Sequence, residues 1–326
     1  MEGSIPWIEL YRPHNIEEVV LDEQISQQIK IFLQDRKNVH LIMTGLPGCG
    51  KTSSVRCIAR RILGNNMAQG YLELNAAEDR GVRSISTIIP PFCKRIVNFT
   101  ESKIILLDEA DNMTSKCQYD INDMIKIYGQ KTKFIFTCND STKIIEDIQS
   151  ICRIIRFKKL TNEQISTYLS KICQKENIEY NNSGLSTICY ISNGDMRKSI
   201  NNLQLTAYSY GKITKKTVLK ICKVPDPEEI KHIIELCMQC KLNEDNIESK
   251  LVVANRELET IISQGYYCLD IVTGFIYVLA SYEMDEDLKL KLIDIVNQTE
   301  IAISRGLRSK LQLTAMVGRL IKKMNE

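Results

Sequence analysis

Apolar residues in the first half of the chain gather into five short, nearly unbroken runs: VHLIMT (39–44), YLELN (71–75), KIILLD (103–108), KFIFTCN (133–139) and CRIIRF (152–157). Runs of this length, rich in Ile, Leu, Val or Phe and without polar alternation, read as strands covered on both faces. Between them the apolar positions switch to helical spacing, as over 52–63 and 115–128. Strand and helix in alternation predict a parallel sheet in a three-layer α/β domain, because parallel strands need a crossover and a helix supplies it. Past Leu160 the runs stop. LTNEQISTYLSKICQKENI opens on Thr161, a side chain suited to an N-cap, and continues at helical spacing. NGDMRKSINNLQLTAYSYG reads as another helix, ending at Gly211. VPDPEE (224–229), with two prolines around an aspartate, is a break, and the remainder is helical up to the amphipathic SKLQLTAMVGRLIKKM. The expected layout is an α/β domain over 1–160, a small helical domain over 161–224 and an all-α domain over 225–326.

Composition narrows this picture modestly. The chain has 326 residues, room for two or three cores, and its 44% hydrophobic and 25% charged residues are those of an ordinary soluble globular protein. A net charge of +3 permits a nucleic-acid partner without arguing for one, since local patches matter more than the sum. No apolar stretch is long enough to span a bilayer, and MEGSIPWIEL lacks the positive and apolar regions of a secretory signal. The expectation is an intracellular protein with no membrane partner, nuclear in a eukaryotic cell and otherwise cytoplasmic. The cysteines are scattered and sit in apolar contexts, such as Cys138 and Cys189, so they read as buried free thiols in a reducing compartment. Cys237 and Cys240 form a CxxC pair, but no second pair lies nearby to complete a zinc site, so both read as helix-core residues.

The chemistry gathers at LIMTGLPGCGKTSS. Gly45, Gly50, Lys51 and Thr52 fit G-x-x-x-x-G-K-[ST], and the pattern follows an expected strand and opens an expected helix, the context that gives it meaning. Such a loop (Gly45, Leu46, Pro47, Gly48, Cys49 and Gly50, running into Lys51, Thr52 and Ser53) closes its backbone N–H groups around phosphate oxygens, and the helix N-terminus adds partial positive charge. Lys51 would reach the outer phosphates and the Thr52 hydroxyl would take a Mg²⁺ position. KIILLDEAD adds Asp108 and Glu109 at a strand end: one carboxylate to hold Mg²⁺ through water, the next to orient or deprotonate an attacking water. Asn139, closing KFIFTCN, could bond the terminal phosphate or that water, and Arg197, opening a helix in NGDMRKS, could reach the nucleotide from the second domain.

Six segments then carry a resemblance: PWIELYRP (6–13), GLPGCGKT (45–52), ELNAAEDRG (73–81), LLDEADNMT (106–114), TCND (137–140) and NGDMRKSINNLQ (193–204). In this order they resemble the small subunits of replication factor C, the AAA+ clamp loader of archaea and eukaryotes. The resemblance covers about the first 225 residues. The last hundred are similar only in length and helical character. It implies a RecA-like AAA+ P-loop domain with a parallel sheet, a helical lid, and an all-α collar that joins subunits into a ring. It also implies what such a chain does with ATP and Mg²⁺ bound, which is to open a sliding clamp and place it on primer–template DNA, in company with other clamp-loader subunits. Residue by residue, it implies that Ile8, Arg12 and Val20 line the adenine and ribose side. Gly48 to Thr52 would hold phosphates and metal, with Thr52 and Asp108 the Mg²⁺ residues. Lys51, Asp108, Glu109, Asn139 and Arg197 would be the catalytic set. PWIELYRP and ELNAAEDRG argue against the alternatives of an unrelated AAA+ DNA-remodelling ATPase and a metabolic P-loop kinase.

The chain departs from the family at two places. In EDIQSICRII the family has an arginine between the Ser150 and Cys152 positions, which reaches the neighbouring subunit's γ-phosphate; here that residue is Ile151. Isoleucine cannot offset charge developing there, so the subunit is expected to bind its own ATP but to trigger its neighbour poorly, unless Arg153 replaces the lost group. A non-hydrolysing structural subunit is the alternative this favours. On the DNA face, Arg80 and Arg83 remain, but Pro90 and Pro91 are expected to end or bend the helix that follows. Asn122 and Asp123 stand where the family has two arginines, so the chain either tracks DNA with fewer charges or leaves the contact to its neighbours. Lys212, Lys216, Lys220 and Lys223 would share one face if their segment were a single helix, a solvated face rather than a nucleic-acid stripe.

Overall fold

The computed structural model describes residues 5–34, 39–76, 82–95, 103–238, 247–307 and 310–324, with the side chains of 82–86 and 247–250 outside that description. The chain divides into two compact units, Met1–Thr214 and Lys215–Glu326.

The first unit begins with α1 (Trp7–Leu10), α2 (Glu23–Gln34), β1 (His40–Gly45), α3 (Lys51–Leu63), α4 (Met67–Gly70) and β2 (Tyr71–Asn75). It continues with α5 (Val82–Lys94), β3 (Lys103–Asp108), α6 (Ser115–Tyr128), β4 (Thr132–Cys138), α7 (Glu146–Ile151) and β5 (Cys152–Phe157). All five expected strands form, and they pair in parallel in the order β2-β3-β4-β1-β5. Alternate side chains leave the sheet on opposite faces. Ile42, Ile105, Leu107, Phe134 and Phe136 pack with Ile89 of α5 and Ile121 and Ile125 of α6. Leu41, Met43, Ile104, Leu106 and Ile135 pack with Ile29 and Phe32 of α2 and Val55 and Ile58 of α3. The three inner strands are therefore covered on both faces, as their sequences require. The edge strands β2 and β5 are only partly buried, and Arg153 and Arg156 of β5 are exposed.

Helical structure follows as α8 (Asn162–Lys175), α9 (Asn182–Ser192) and α10 (Met196–Tyr210). Thr161 caps α8 reciprocally: its hydroxyl accepts from Gln164 N–H at 3.2 Å while Gln164 Oε1 accepts from Thr161 N–H at 3.0 Å. Gly211, at φ 68°, ends α10 in the left-handed conformation that glycine adopts without cost. The expectation that strands stop at Leu160 needs correction, since β6 (Glu179–Tyr180) and β7 (Lys212–Ile213) form a short parallel pair. The lysine stripe is correspondingly broken: Lys212 lies in β7, Lys216 and Lys220 in the next helix, and Lys223 beyond it at φ 48°.

The tandem prolines do not end the helix, the first of the two effects expected of them, because α5 runs through Pro90 and Pro91 to Lys94. Tertiary contacts offset the lost backbone bonds. Ile89 is fully buried, Phe92 and Cys93 pack against the same core, and the Lys103 ammonium donates to the carbonyls of Phe92 (2.8 Å), Cys93 (2.8 Å) and Arg95 at the helix end. A cation there satisfies carbonyls that the helix leaves open and complements its dipole. On α6, Asn122 is buried with its amide 3.5 Å from Asp147 Oδ2, whereas Asp123 is exposed and paired with Lys126. Only the second of the two positions therefore faces outward.

His40 makes this core sensitive to pH. Its ring is buried, and Nδ1 accepts the Phe134 N–H at 3.1 Å, which requires a neutral imidazole. Burial first, and the charge of Lys133 second, hold its pKa down from 6.5 to about 4. The unfolded chain binds this proton more readily, so the stabilisation is complete above pH 6.5 and drains away as pH falls towards 4. At about 1.4 kcal/mol per unit the loss is about 3 kcal/mol. Denaturant titrations across that window are expected to show the slope, and His40→Asn, which keeps an acceptor without a titrating ring, to flatten it.

The second unit holds α11 (Lys215–Cys222), α12 (Pro227–Met238), α13 (Ile247–Ser263), α14 (Cys268–Ser281), α15 (Glu286–Ser304) and α16 (Lys310–Met324). One core joins α12 to α16, with Ile230, Ile234, Phe275, Leu292, Val296 and Val317 among its members. Gly274 lets α12 approach, since a Cβ there would fall 2.5 Å from Ile230 Cδ1. Lys215 pairs with Asp226 at 3.0 Å and Glu228 at 2.9 Å, tying α11 to the start of α12 across VPDPEE. Cys237 is fully buried in α12; Cys240 lies outside the described residues. Among the described residues no helix is long and apolar enough to cross a membrane.

Candidate nucleotide site

The loops that follow β1, β3 and β4 leave the same end of the sheet, where open α/β sheets take their ligands. Here they line a cleft of about 250 Å³ within the first unit. The first loop is the glycine-rich turn. Gly48 and Gly50 have φ of 70° and 93°, and Gly50 is the N-cap of α3. The turn can therefore wrap closely while α3 starts at Lys51 with its first N–H groups free of intrahelical acceptors. Lys51 Nζ donates to the carbonyls of Gly45 (2.7 Å) and Leu46 (2.9 Å) and to Asn139 Oδ1 (3.1 Å).

The second loop brings two carboxylates. Asp108 accepts from the Thr52 hydroxyl at 3.1 and 3.2 Å and from the Thr137 hydroxyl. Glu109 takes φ 54°, its N–H donates to Asp108 Oδ1 at 3.2 Å, and its Oε2 accepts from Asn112 at 3.2 Å. The third loop is fixed through Asn139, whose N–H donates to Asp111 Oδ2 at 3.2 Å and whose carbonyl accepts from Thr44 at 3.2 Å. Helix α10 adds Met196, Arg197 and Ile200.

The expected residues Ile8, Arg12, Val20, Pro47, Gly48, Cys49, Gly50, Lys51, Thr52, Ser53, Asp108, Glu109, Asn139 and Arg197 all line this cleft. Gly45 and Leu46 do not line it; they act as acceptors for Lys51. Arg80 lies outside the described residues, and the side chain of Arg83 does too, although its backbone belongs to α5. Sequence reading missed Tyr11, Pro13, Val19, Thr137, Leu160, Tyr168, Met196 and Ile200, which also line the cleft. The signal available was a place in a quoted segment: Tyr11 and Pro13 in PWIELYRP, Thr137 in TCND, Met196 and Ile200 in NGDMRKSINNLQ; Val19, Leu160 and Tyr168 come together only through the fold.

That first segment is a strap. Trp7 is buried, donates its backbone N–H to Gln204 Oε1 at 3.1 Å, and meets the rings of Tyr11 and Tyr208 edge-on. The Tyr168 hydroxyl donates to the Tyr11 carbonyl at 2.5 Å, and the Tyr11 hydroxyl donates to Glu176. Burial first, then Glu176, pushes the Tyr11 phenol up to about 12, so it remains a donor at neutral pH. On the other side the Pro13 carbonyl accepts from Arg60 at 3.3 Å and Cys57 at 3.4 Å. The strap thus joins α8 and α10 to α3 along the apolar side of the cleft. Cys49 is buried within the turn, and burial pushes its thiol up, which leaves it neutral.

These residues fit a magnesium–triphosphate. A hydroxyl and a carboxylate already within 3.1 Å of each other, Thr52 and Asp108, are the oxygen pair that Mg²⁺ takes beside phosphate oxygens. The Lys51 ammonium and the open end of α3 are the donors an anion needs. Ile8, Val19, Val20, Leu160 and Ile200 supply apolar surface for a base.

Three family models match in chain order. They are the ATPase family associated with various cellular activities (AAA) over 41–160, the RCF1/5-like AAA+ ATPase lid domain over 167–207, and the replication factor C C-terminal domain over 225–319. A protein of Acanthamoeba polyphaga mimivirus named as a replication factor C small subunit is 68% identical, covering 99% of each chain. Replication factor C small subunit of Sulfolobus acidocaldarius is 36% identical over 98% of this chain and 97% of its own. Subunit 4 of Schizosaccharomyces pombe is 35% identical over 98% and 92%. Among solved structures, the Thermotoga maritima RuvB Holliday junction branch migration motor superposes with TM-score 0.54 at 16% identity, covering 76% of this chain and 85% of that one, a likeness of fold. With the glycine-rich turn, the acidic strand end, the helical lid and the C-terminal helical domain in the same order, the chain belongs to the replication factor C small-subunit family of AAA+ ATPases.

Proposed function

We propose that this chain binds ATP with Mg²⁺ in the cleft and works as one subunit of a hetero-oligomeric clamp loader, which opens a sliding clamp and places it on primer–template DNA during replication. The observation that carries the nucleotide reading is the convergence of Lys51, Thr52, Asp108, Glu109 and Asn139 at the ends of three adjacent parallel strands. Each has a role that its contacts suit. Lys51 neutralises the outer phosphates, exchanging loop carbonyls for phosphate oxygens. Thr52 and Asp108 hold Mg²⁺, and the bound ion would supply Lewis-acid stabilisation of phosphate charge. Glu109 and Asn139 orient the attacking water, and Arg197 approaches the terminal phosphate from α10. The helices over 161–224 act as the lid, and α12 to α16, within 225–326, as the collar that assembles the ring.

Ile151 supports the hetero-oligomeric reading: with Arg153 not standing in, a ring built only of chains with isoleucine at that position would lack the trans-acting arginine at every interface. Lys51→Ala is expected to weaken uptake of a labelled ATP analogue about 100-fold, which corresponds to about 3 kcal/mol of lost charge-assisted bonding. Equilibrium binding on the purified chain measures this, and unchanged affinity would refute the site. Co-purification with partner subunits, then ATPase assays with and without clamp and primed DNA, tests the assembly.

A further inference from the structure

Arg197 lines the cleft, yet its side chain makes no hydrogen bond or ion pair with any described residue. Its position is therefore set by the backbone that carries it, the first turn of α10. That turn rests on the glycine-rich loop. Met196 N–H, one of the donors that a helix start leaves open, bonds the Gly48 carbonyl at 3.2 Å. The preceding residue, Asp195, caps α10 by accepting the Lys198 N–H at 3.0 Å. Its carboxyl packs so closely on Gly48 that any Cβ at position 48 would fall inside it. The turn is also wedged from behind. Gly194, at φ 86°, lies against the Lys159 side chain, and Lys159 Nζ bonds Asn193 Oδ1.

We propose that Asp195 is a positioning residue: by seating the start of α10 on Gly48 it holds Arg197 over the phosphate end of the cleft. Asp195 itself does not line the cleft. Its carboxylate serves as a spacer between two backbones, one in the loop that wraps phosphate and one in the helix that presents the arginine. Movement of Gly48 when phosphate fills the loop is passed to Arg197 through this contact. The inference rests on the nucleotide reading of the cleft.

The test compares affinities for ADP and for a slowly hydrolysed ATP analogue in four proteins: wild type, Asp195→Ser, Asp195→Asn and Arg197→Ala, with the Asp195→Ser/Arg197→Ala double variant completing a cycle. Serine caps a helix about as well as aspartate, so Asp195→Ser keeps α10 and its thermal midpoint but is too short to seat on Gly48. Asp195→Ser is expected to lower the ratio of ADP to ATP-analogue dissociation constants about tenfold, as Arg197→Ala does, with the double variant no worse than either, as coupled sites behave. Asparagine, equal in length, is expected to restore the ratio. A normal ratio in Asp195→Ser, or additive losses in the double variant, would overturn the positioning role while leaving the nucleotide site standing. Failure of the wild type to bind either nucleotide would remove both.

Discussion

Glu109→Gln is expected to leave ATP binding close to wild type and to lower hydrolysis by about 100-fold or more, the scale of a lost general base. The two adjacent carboxylates are not equivalent. Asp108 is committed, accepting from Thr52, Thr137 and the Glu109 N–H. Glu109 is turned out of the strand by its left-handed backbone, and a single bond from Asn112 fixes it, so it retains acceptor capacity towards the cleft. An amide of the same shape keeps the Asn112 bond and loses the ability to take a proton. Single-turnover hydrolysis in the assembled complex, beside equilibrium binding of an ATP analogue, separates the two effects. A silent Glu109→Gln with a slow wild type would instead support a subunit whose nucleotide only stabilises the ring.

Ile151→Arg is expected to raise clamp-stimulated ATPase of the assembled complex by about 10³, the lower end of what a trans-acting arginine supplies. The site accepts the change. Ile151 is the last residue of α7 and 42% exposed, and a cation at a helix C-terminus is mildly stabilising. Stability should therefore stay within about 0.5 kcal/mol, as for other surface substitutions, and the rate becomes the informative readout. Arg153 is the internal control. It lies two residues on, exposed on edge strand β5, with no ion pair among the described residues. If Arg153→Ala slows the wild-type complex and Ile151→Arg changes nothing, the displaced arginine already fills the role, and the expectation built on Ile151 fails.

Legibility in the sequence followed the range of the forces involved. Unbroken apolar runs located β1, β3 and β4 to within a residue, because burial on both faces keeps the middle of each strand apolar, Leu41–Met43, Ile104–Leu107 and Phe134–Phe136. The caps at Thr161 and Gly211 were readable because capping is a local hydrogen-bonding or backbone property. The prolines of α5 fail to end their helix for the complementary reason. Their local cost is real, but the core seat of Ile89 and the ammonium of Lys103, on the following strand, outweigh it. Asn122 reads as a surface position until packing turns it towards Asp147.

The sequence by itself determined the sheet, the glycine-rich turn, the acidic strand end and the order of the domains, since each is written in contiguous residues with a fixed period or spacing. Tertiary structure alone decided what closes the site. Tyr11 meets Tyr168, Thr137 meets Asp108 and Asp195 meets Gly48 across long separations in the chain. No local preference encodes such meetings, because they exist only once the strands have aligned and the lid helices have docked.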